Sequence, residues 1–185
     1  MTAEESFGSW VVAARAGADW AWEAIYREFA PTVLRYLRAR GSPEPEDTLG
    51  DVFFQVVRSL HQFEGGRDQF RAWILTIARN RLIDEGRRRN RRPEEPTEEQ
   101  AIAQALPPGD AEEDALRVLA TQRVRSLLGG LAPDQRDVLL LRILGELSIQ
   151  DIARALGKSP GAVRSLQARA LAALRRQIPR EAVSL

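Results

Sequence analysis

Residues 148–174 read SIQDIARALGKSPGAVRSLQARALAAL and have the spacing of two short helices joined by a tight turn. Ser148 can cap the first helix, and Asp151, three residues on, completes a capping box. Ser159 can cap the second helix, with Pro160 at its first position, where a missing N–H costs nothing. The local signals therefore predict both helix starts.

Three positions in this stretch fit a helix-turn-helix in particular. Ala153 is small at the point where two helices must cross closely, and Gly157 suits a left-handed turn between them. Val163, six residues after that glycine, is expected to point into the core. This spacing makes DNA the leading candidate partner.

A helical wheel divides the second helix into a core side and an arginine-rich side. The expected core positions are Val163, Leu166, Ala170 and Leu174, and the opposite side holds Arg164, Ser165, Ala168, Arg169, Ala172, Arg175 and Arg176. Arg164 and Arg169 are candidates for contacts to base edges, and Arg175 and Arg176 for contacts to phosphates. The alternative is an ordinary three-helix bundle with a solvated arginine face.

The composition removes most catalytic classes from consideration. The 185 residues contain no cysteine and a single histidine, His61. The chain therefore lacks the residues for disulfides and thiolate nucleophiles, and it has almost none of those that zinc sites and histidine-based triads need. We expect neither a cofactor nor a metal, and no enzymatic activity. No apolar run is long enough to span a membrane, and the start of the chain does not resemble a secretory signal, so the expected location is the cytoplasm.

The net charge of +1 conceals a strongly uneven distribution. Residues 79–92 hold seven arginines against two acids, and residues 151–180 hold six arginines and Lys158 against Asp151 alone. Between them, residues 93–114 hold eight acids and no base. Two basic blocks on either side of an acidic spacer indicate two polyanion-binding surfaces.

The expected fold is all-α, with two small helical domains joined by a flexible acidic linker. All aromatic residues lie between Phe7 and Trp73, which favours two separately packed units. Prolines and mutually repelling acids mark the linker. The expected bounds are 1–92 and 115–178 for the domains, 93–114 for the linker and 179–185 for a tail.

Helical periodicity runs through the first unit. One helix should open near Trp20 and resume after Pro31, a second should span 46–60, and a third 70–90. The loop at 61–69 contains Phe63 beside cations, a combination that suits unstacked bases. The alternative for Phe63, and the favoured reading for Phe70 and Trp73, is a place in the core.

Three stretches together resemble bacterial RNA polymerase sigma factors of the extracytoplasmic-function (ECF, group IV) type. PEDTLGDVFFQVVRSL at 45–60 resembles region 2.2, and FRAWILTIARNRLIDEGRRRNRR at 70–92 resembles regions 2.3 and 2.4. The region 4 resemblance covers 131–174. The similarity includes nearly the whole chain outside the linker and the two ends.

The resemblance implies roles for residues at matching positions. The region 2.2 helix docks on the clamp helices of the largest polymerase subunit, which implies Asp47, Asp51, Phe53 and Gln55. The −10 element would be contacted by Phe63, Glu64, Gly65, Gly66 and Arg67 in the loop, then by Arg71, Arg79, Asn80, Arg81, Arg87, Arg88 and Arg89. The −35 element would be contacted by Lys158, Ser159, Arg164, Ser165, Ala168, Arg169, Arg175 and Arg176.

The implied partners are core RNA polymerase, including the flap of its second-largest subunit, promoter DNA and a cognate anti-sigma factor. The acidic linker would thread toward the polymerase active-site channel. The chain departs from the family pattern at Gly50, where glutamine is usual, at Ala162, where threonine is usual, and at Leu166–Gln167, where Arg-Leu is usual. This shift of the apolar residue by one position is expected to place Gln167 at the edge of the core, and the alternative is that Gln167 reaches the DNA.

The resulting hypothesis is a sigma factor that binds core polymerase, recognises promoters with paired elements and helps to open the −10 region. The alternative is a polymerase-independent helix-turn-helix regulator that dimerises on duplex DNA. A repressor has no need of a docking helix at 45–60 or an arginine-rich stretch at 79–92, so the first domain discriminates between the two.

Overall fold

The computed structural model describes residues 3–91, 122–124 and 126–177, and every regular element in these ranges is helical. Residues 122–124 and 126–129 are helical as well. The linker at 93–114, the expected start of the second domain at 115 and the tail at 179–185 lie outside the described residues. The helices are α1 (Ala3–Arg15), α2 (Asp19–Arg40), α3 (Pro45–Ser59), α4 (Arg67–Arg91), α5 (Pro133–Ile143), α6 (Ile149–Leu156) and α7 (Pro160–Gln177), with a 3-10 turn at Leu60–Gln62 after α3.

Helix α2 runs through Pro31 without a break, whereas the sequence predicted an interruption there. Proline removes one backbone hydrogen bond and usually kinks a helix. Here Pro31 is exposed, so water can reach the carbonyl that loses its donor, while buried Phe29 and Val33 fix the helix on both sides. Burial of the apolar face therefore outweighs the local cost.

The first helical unit packs around three phenylalanine rings from three helices. Phe29 of α2 lies 5.9 Å from Phe7 of α1 and 4.8 Å from Phe70 of α4, measured between ring centroids. All three are at most 1% exposed. Aromatic rings in tilted or edge-to-face pairs at these distances stabilise a core beyond their buried area. The prediction that Phe70 belongs to the core is thus confirmed.

The second helical unit consists of residues 126–132 together with α5, α6 and α7. Arg136 of α5 ties the approach to this helix, since its side chain donates to the carbonyls of Leu128 and Gly129 at 2.8 and 3.1 Å. Val138, Leu141 and Val163 are fully buried between the helices. The predicted helix-turn-helix is present, and it rests on α5 as a third helix.

The two helical units also pack against each other, which the sequence did not predict. Helix α2 contacts α5, and α4 contacts α6, so the buried side chains of both units form one continuous cluster. Leu75 of α4 is fully buried and faces Gly145, in the turn after α5. The expected all-α fold with two helical domains is confirmed, but the domains are not packed apart from each other, because each covers apolar and charged side chains of the other.

Among the described residues, no helix combines the length and the apolar character that crossing a bilayer requires.

Replacement of Gly50 by alanine should stabilise the first unit. Gly50 lies in the interior of α3, is exposed, and a Cβ added there meets no atom within 4 Å. Because alanine is a better helix former, the free energy of unfolding should rise by about 0.5–1 kcal/mol. Urea denaturation followed by tryptophan fluorescence measures this unit, since all four tryptophans precede residue 74.

Gly41→Ala is the matched control for that substitution. Gly41 ends α2 in the left-handed conformation, with φ of 82°, where a Cβ is unfavourable. It should destabilise the same unit by about 1 kcal/mol. Equal effects of the two substitutions would contradict the helix-propensity argument.

Candidate nucleic-acid interface

The turn between α6 and α7 is fixed by the capping residues that the sequence indicated. The Ser148 hydroxyl accepts the backbone N–H of Asp151 at 3.1 Å, and Gly157 ends α6 in the left-handed conformation with φ of 62°. The Ser159 hydroxyl accepts the backbone N–H of Ala162 at 3.2 Å, and α7 begins at Pro160. Four local predictions are confirmed.

The carboxylate of Asp151 completes the cap of α6. Partial burial raises its pKa, but the hydroxyl of Ser148 and the guanidinium of Arg154 outweigh burial, so that the pKa of Asp151 is below its ordinary value. Both partners hydrogen-bond the carboxylate directly. A carboxylate held in its charged form at a helix start also interacts favourably with the helix dipole.

Helix α7 buries the side that the helical wheel predicted. Val163 and Ala170 are fully buried, and Leu166 and Leu174 pack against the core from half-buried positions. Gln167 is half-buried beside Leu166, in agreement with its expected place at the edge of the core. The break in the family pattern at 166–167 is therefore accommodated without a change in the buried face.

The opposite side of α7 forms an exposed cationic strip that we name the α7 face. Its members are Arg164, Ser165, Ala168, Arg169, Arg175 and Arg176, all exposed. Small side chains separate the arginines, which allows close approach of a groove edge to the helix backbone. Two further residues predicted to contact DNA already have partners within the protein. Lys158 pairs with Asp134 at 2.9 Å, and the Ser159 hydroxyl caps α7.

The loop before α4 has a rigid base and an exposed tip. The ring of Phe63 is only 6% exposed, stacks on Trp73 at 5.1 Å and meets Phe70 edge to face at 5.2 Å. Phe63 is therefore part of the core in this structure, which is one of the two readings that the sequence left open, and its ring is not exposed for stacking on a base. Glu64 and Gly65 remain exposed at the tip.

Gly65 and Gly66 have separate roles in this loop. Gly65 has φ of 134°, and a Cβ there would lie 2.8 Å from the Cβ of Gln69, so only glycine fits. The backbone N–H of Gly66 donates to the side chain of Gln69 at 3.0 Å. Arg67 forms an ion pair with Glu28 of α2. The loop geometry is thus set by the backbone conformation of Gly65, by the hydrogen bond from Gly66 to Gln69 and by the ion pair of Arg67 with Glu28.

A cleft of about 490 Å³ opens between this loop, α4 and α6. Phe63, Trp73 and Thr76 line one side, and Asp151 and Arg154 of the helix-turn-helix line the other. The loop expected to capture a base therefore faces the second unit across this cleft.

The cations of α4 fall into two groups. Arg71 and Arg79 have side chains only 15% exposed, and each pairs with acids of the second unit. The second group is more accessible: Arg87, Arg88 and Arg89 are exposed, and Arg81 is half-buried and donates to the side chain of Gln55 at 3.5 Å. Asn80, between the two groups, is exposed as well. The α4 residues predicted to contact the −10 element thus lie along one helix, but Arg71 and Arg79 are covered.

Helix α3 presents an exposed stripe that we name the α3 face, comprising Asp47, Asp51, Phe54 and Val57. Phe54 and Val57 are 59% and 52% exposed, which is unusual for apolar side chains of this size. Phe53, in contrast, is 8% exposed and packs on Tyr26 with ring centroids 4.6 Å apart. Phe53 was predicted as a contact residue; it is in the core, and Phe54 is the exposed ring.

Comparison with known proteins agrees with this geometry in both units. The model of sigma-70 region 2 matches residues 25–92, and the model of sigma-70 region 4 matches residues 121–174. The ECF RNA polymerase sigma factor RpoE of Cereibacter sphaeroides is 32% identical over 189 residues, which cover 96% of this chain and 99% of that protein. The chain belongs to the ECF sigma factor family.

A second relative and two solved structures extend the comparison. The ECF sigma factor BldN of Streptomyces coelicolor is 34% identical over 91% of this chain, which spans 64% of that protein. The structure of CnrH in complex with the cytosolic domain of CnrY matches with a TM-score of 0.70 and 24% identity, over 97% of this chain and 99% of that one. RpoE of Bartonella quintana, in complex with the anti-sigma factor NepR, gives a TM-score of 0.65 and 23% identity, over 84% and 94% of the two chains. These likenesses show the fold.

Sequence reasoning missed three residues of this sigma factor that the structure singles out. Phe54 was passed over in favour of its neighbour, although the spacing from Asp47 and Asp51 places it on their side of α3. Leu75 and Asp137 both lie at the contact between region 2 and region 4. Only the oddity of an acid within an apolar helix, RDVLLL, could have drawn attention to Asp137.

Loss of the Ser148 cap should destabilise region 4. Ser148→Ala removes the acceptor for the Asp151 N–H, so the free energy of unfolding should fall by about 1 kcal/mol. Far-UV circular dichroism during urea denaturation measures this loss. Ser165→Ala, on the exposed side of α7, is the control and should change stability by less than about 0.5 kcal/mol. A smaller loss for Ser148→Ala than for the control would contradict the capping assignment.

Proposed function

We propose that this sigma factor binds core RNA polymerase, directs it to promoters with paired −35 and −10 elements, and assists opening of the −10 region. The observation that carries the proposal is the α7 face: exposed arginines separated by small residues, on a helix whose other side is buried in a helix-turn-helix. Region 2 on the same chain supplies the second arginine-bearing helix, which a single-site DNA-binding protein lacks.

The α7 face is proposed to read the −35 element. Arg164 and Arg169 are assigned to base edges, with Ser165 and Ala168 between them at the groove. Arg175 and Arg176, at the end of the helix, are assigned to phosphates. Lys158 and Ser159 are assigned a lesser role than the sequence suggested, because one pairs with Asp134 and the other caps the helix.

Region 2 is proposed to read the −10 element with the loop tip and with α4. Glu64 and Gly65 form the accessible tip, over a base stiffened by Phe63 and Trp73. Asn80 and Arg81 are assigned to bases, together with Arg71 and Arg79 once these are uncovered, and Arg87, Arg88 and Arg89 to the phosphate backbone. Capture of unstacked bases offsets the few kcal/mol, roughly, that unstacking costs, so no chemistry by the sigma factor itself is required.

The α3 face is proposed to dock on the clamp helices of the largest polymerase subunit. Asp47 and Asp51 supply charge, Phe54 and Val57 supply apolar area, and Gln55 lies at the edge, where it bonds Ser59 at 2.8 Å. An exposed aromatic ring flanked by charges is typical of an interface hot spot. Phe53 would support this face from below through Tyr26 rather than touch the polymerase.

Further partners and the remaining domain assignments belong to the same proposal. Region 2 is assigned to 1–92, an acidic linker to 93–114 and region 4 to 115–178, where it would also meet the flap of the second-largest subunit. An anti-sigma factor is proposed as a regulator because NepR is named as one in the Bartonella quintana complex. The proposed location is the cytoplasm, because the proposed partner is the polymerase.

Run-off transcription with purified core polymerase tests the function. A library of promoter fragments from the source genome should yield discrete transcripts that core polymerase alone does not produce. No such transcript, together with tight and specific binding of the free protein to a palindromic duplex, would establish the polymerase-independent regulator instead.

Arg164→Ala should selectively weaken promoters that depend on the −35 element. Loss of one bidentate base contact costs about 1–3 kcal/mol, which corresponds to roughly a 5- to 150-fold fall in transcription at limiting sigma concentration. Arg27→Ala, in an exposed ion pair on α2, is the matched control and should leave transcription unchanged. Equal transcription by the Arg164 variant and the wild type would remove Arg164 from the base contacts.

Phe54→Ala should weaken binding to core polymerase by about tenfold or more, because a central aromatic contact contributes about 1.4–2 kcal/mol or more to an interface. Asp51→Arg should weaken binding as well, by reversing a charge on the α3 face. Val12→Ala, at an equally exposed apolar position on α1, is the control. Fluorescence anisotropy with labelled sigma measures affinity, and unchanged values for both variants would move the docking surface elsewhere.

A further inference from the structure

One carboxylate joins region 4 to region 2 inside the protein. The side chain of Asp137, in α5, is 2% exposed and meets three side chains of region 2. Its Oδ1 accepts the hydroxyl of Tyr36 at 3.1 Å and lies 2.6 Å from the Nε of Arg40, an ion pair without an aligned hydrogen bond. Its Oδ2 accepts the Nε–H of Arg79 at 2.9 Å.

This cluster depends on its single acid. Arg40 and Arg79 have side chains 13% and 15% exposed, so that neither guanidinium is well solvated by water. Burial, and then the nearby Asp137 charge, raise the pKa of Tyr36 well above its ordinary value, which keeps the hydroxyl a donor. Removal of the carboxylate would leave Arg40 and Arg79 largely buried without the acid that they share, an arrangement that favours separation of the surfaces.

Weaker contacts surround this cluster along the same interface. Arg71 pairs with Glu146 at 3.3 Å, and Arg79 approaches Asp134 at 3.9 Å. Leu75 packs on Gly145 so closely that a Cβ at residue 145 would lie 2.6 Å from a Leu75 methyl. Asp137 is the most buried of the acids in these contacts, and its partner Arg40 is the most buried of the cations.

The contacts cover the surface that region 2 would turn toward the −10 element. Arg71 and Arg79, the first two α4 arginines assigned to DNA, are each held by region 4 acids. A nucleic-acid strand at these positions would meet the carboxylates of Asp134, Asp137 and Glu146 in place of free guanidinium groups. Region 4 also lines one side of the cleft next to the loop before α4, through Asp151 and Arg154.

We propose that Asp137 is an autoinhibitory latch, which holds region 4 over the −10 surface in the free sigma factor and must be released before that surface can bind DNA. The inference rests on the proposed function for the identity of the DNA, but the latch itself is a property of the free chain. A closed fraction lowers apparent affinity in proportion to the fraction that is open.

Two variants open the latch from opposite sides. Asp137→Asn keeps the size of the side chain and removes its charge, while Arg40→Gln removes a partner in region 2 that has no assigned DNA contact. Glu46→Gln is the matched control, because it removes an acid from an exposed ion pair, with Arg38, that lies wholly within region 2.

The native chain has no cysteine, so labels can be placed at Ser9→Cys on α1 and Ala132→Cys just before α5, both exposed and both outside the assigned DNA contacts. In the free protein, both latch variants should lower energy transfer between the labels. Both should also bind a fluorescent single-stranded oligonucleotide pool at least about fivefold more tightly than the wild type. The control should match the wild type in both measurements.

Wild-type energy transfer and wild-type oligonucleotide affinity in both latch variants would overturn the latch. Circular dichroism identifies a variant that has unfolded, and if Asp137→Asn does so, Arg40→Gln decides the question without any change in region 4. Both readouts need no polymerase. Absence of run-off transcription would therefore overturn the proposed function and leave the latch standing. Run-off transcription together with unchanged energy transfer and affinity in both variants would overturn the latch and leave the proposed function standing.

Discussion

The carboxylate of Asp137 is the constraint on which the arrangement of the two sigma regions depends. It is removed from water, and its two oxygens face a tyrosine hydroxyl and two guanidinium groups that are almost as buried. Desolvation of an ion pair typically cancels much of its attraction, so such a cluster adds little net stability when complete. Loss of one partner costs far more, about 3–5 kcal/mol, because it leaves a buried charge unpaired. The cluster therefore favours one arrangement of the two regions, although it adds little net stability.

The two helices proposed to contact DNA differ in how their arginines are placed. On α7 the arginines are exposed on a helix whose other side is anchored by Val163 and Ala170. On α4, Arg71 and Arg79 are paired with acids of region 4. The free chain thus offers one exposed cationic surface and one covered surface.

Features set by neighbours in the chain could be predicted from the sequence, and features set by distant residues could not. The caps at Ser148 and Ser159 and the turn at Gly157 follow from hydrogen bonds within a few residues. Whether Phe53 or Phe54 is exposed depends on the exact rotation of α3 against Tyr26. Asp137 is buried only because α2 and α4 supply its partners, more than 50 residues away in the chain.

Pro31 and Leu75 illustrate the same distinction. Local rules end a helix at proline, but burial of Phe29 and Val33 keeps α2 intact. Leu75 lies off the apolar stripe of α4, and it is buried because Gly145 of region 4 packs on it. In both cases tertiary packing outweighs a local preference of roughly a few kcal/mol or less.

The exposure of the α3 face in this closed arrangement suggests an order of events. Asp51 and Phe54 are accessible while Arg71 and Arg79 are covered, so polymerase can dock on the proposed surface without prior opening. Contacts of region 4 with the polymerase can then offset the loss of the Asp137 cluster, because a latch of a few kcal/mol, roughly, is small beside a large interface. The −10 surface would become available only on a chain that is already bound, which would limit promoter binding by the free sigma factor.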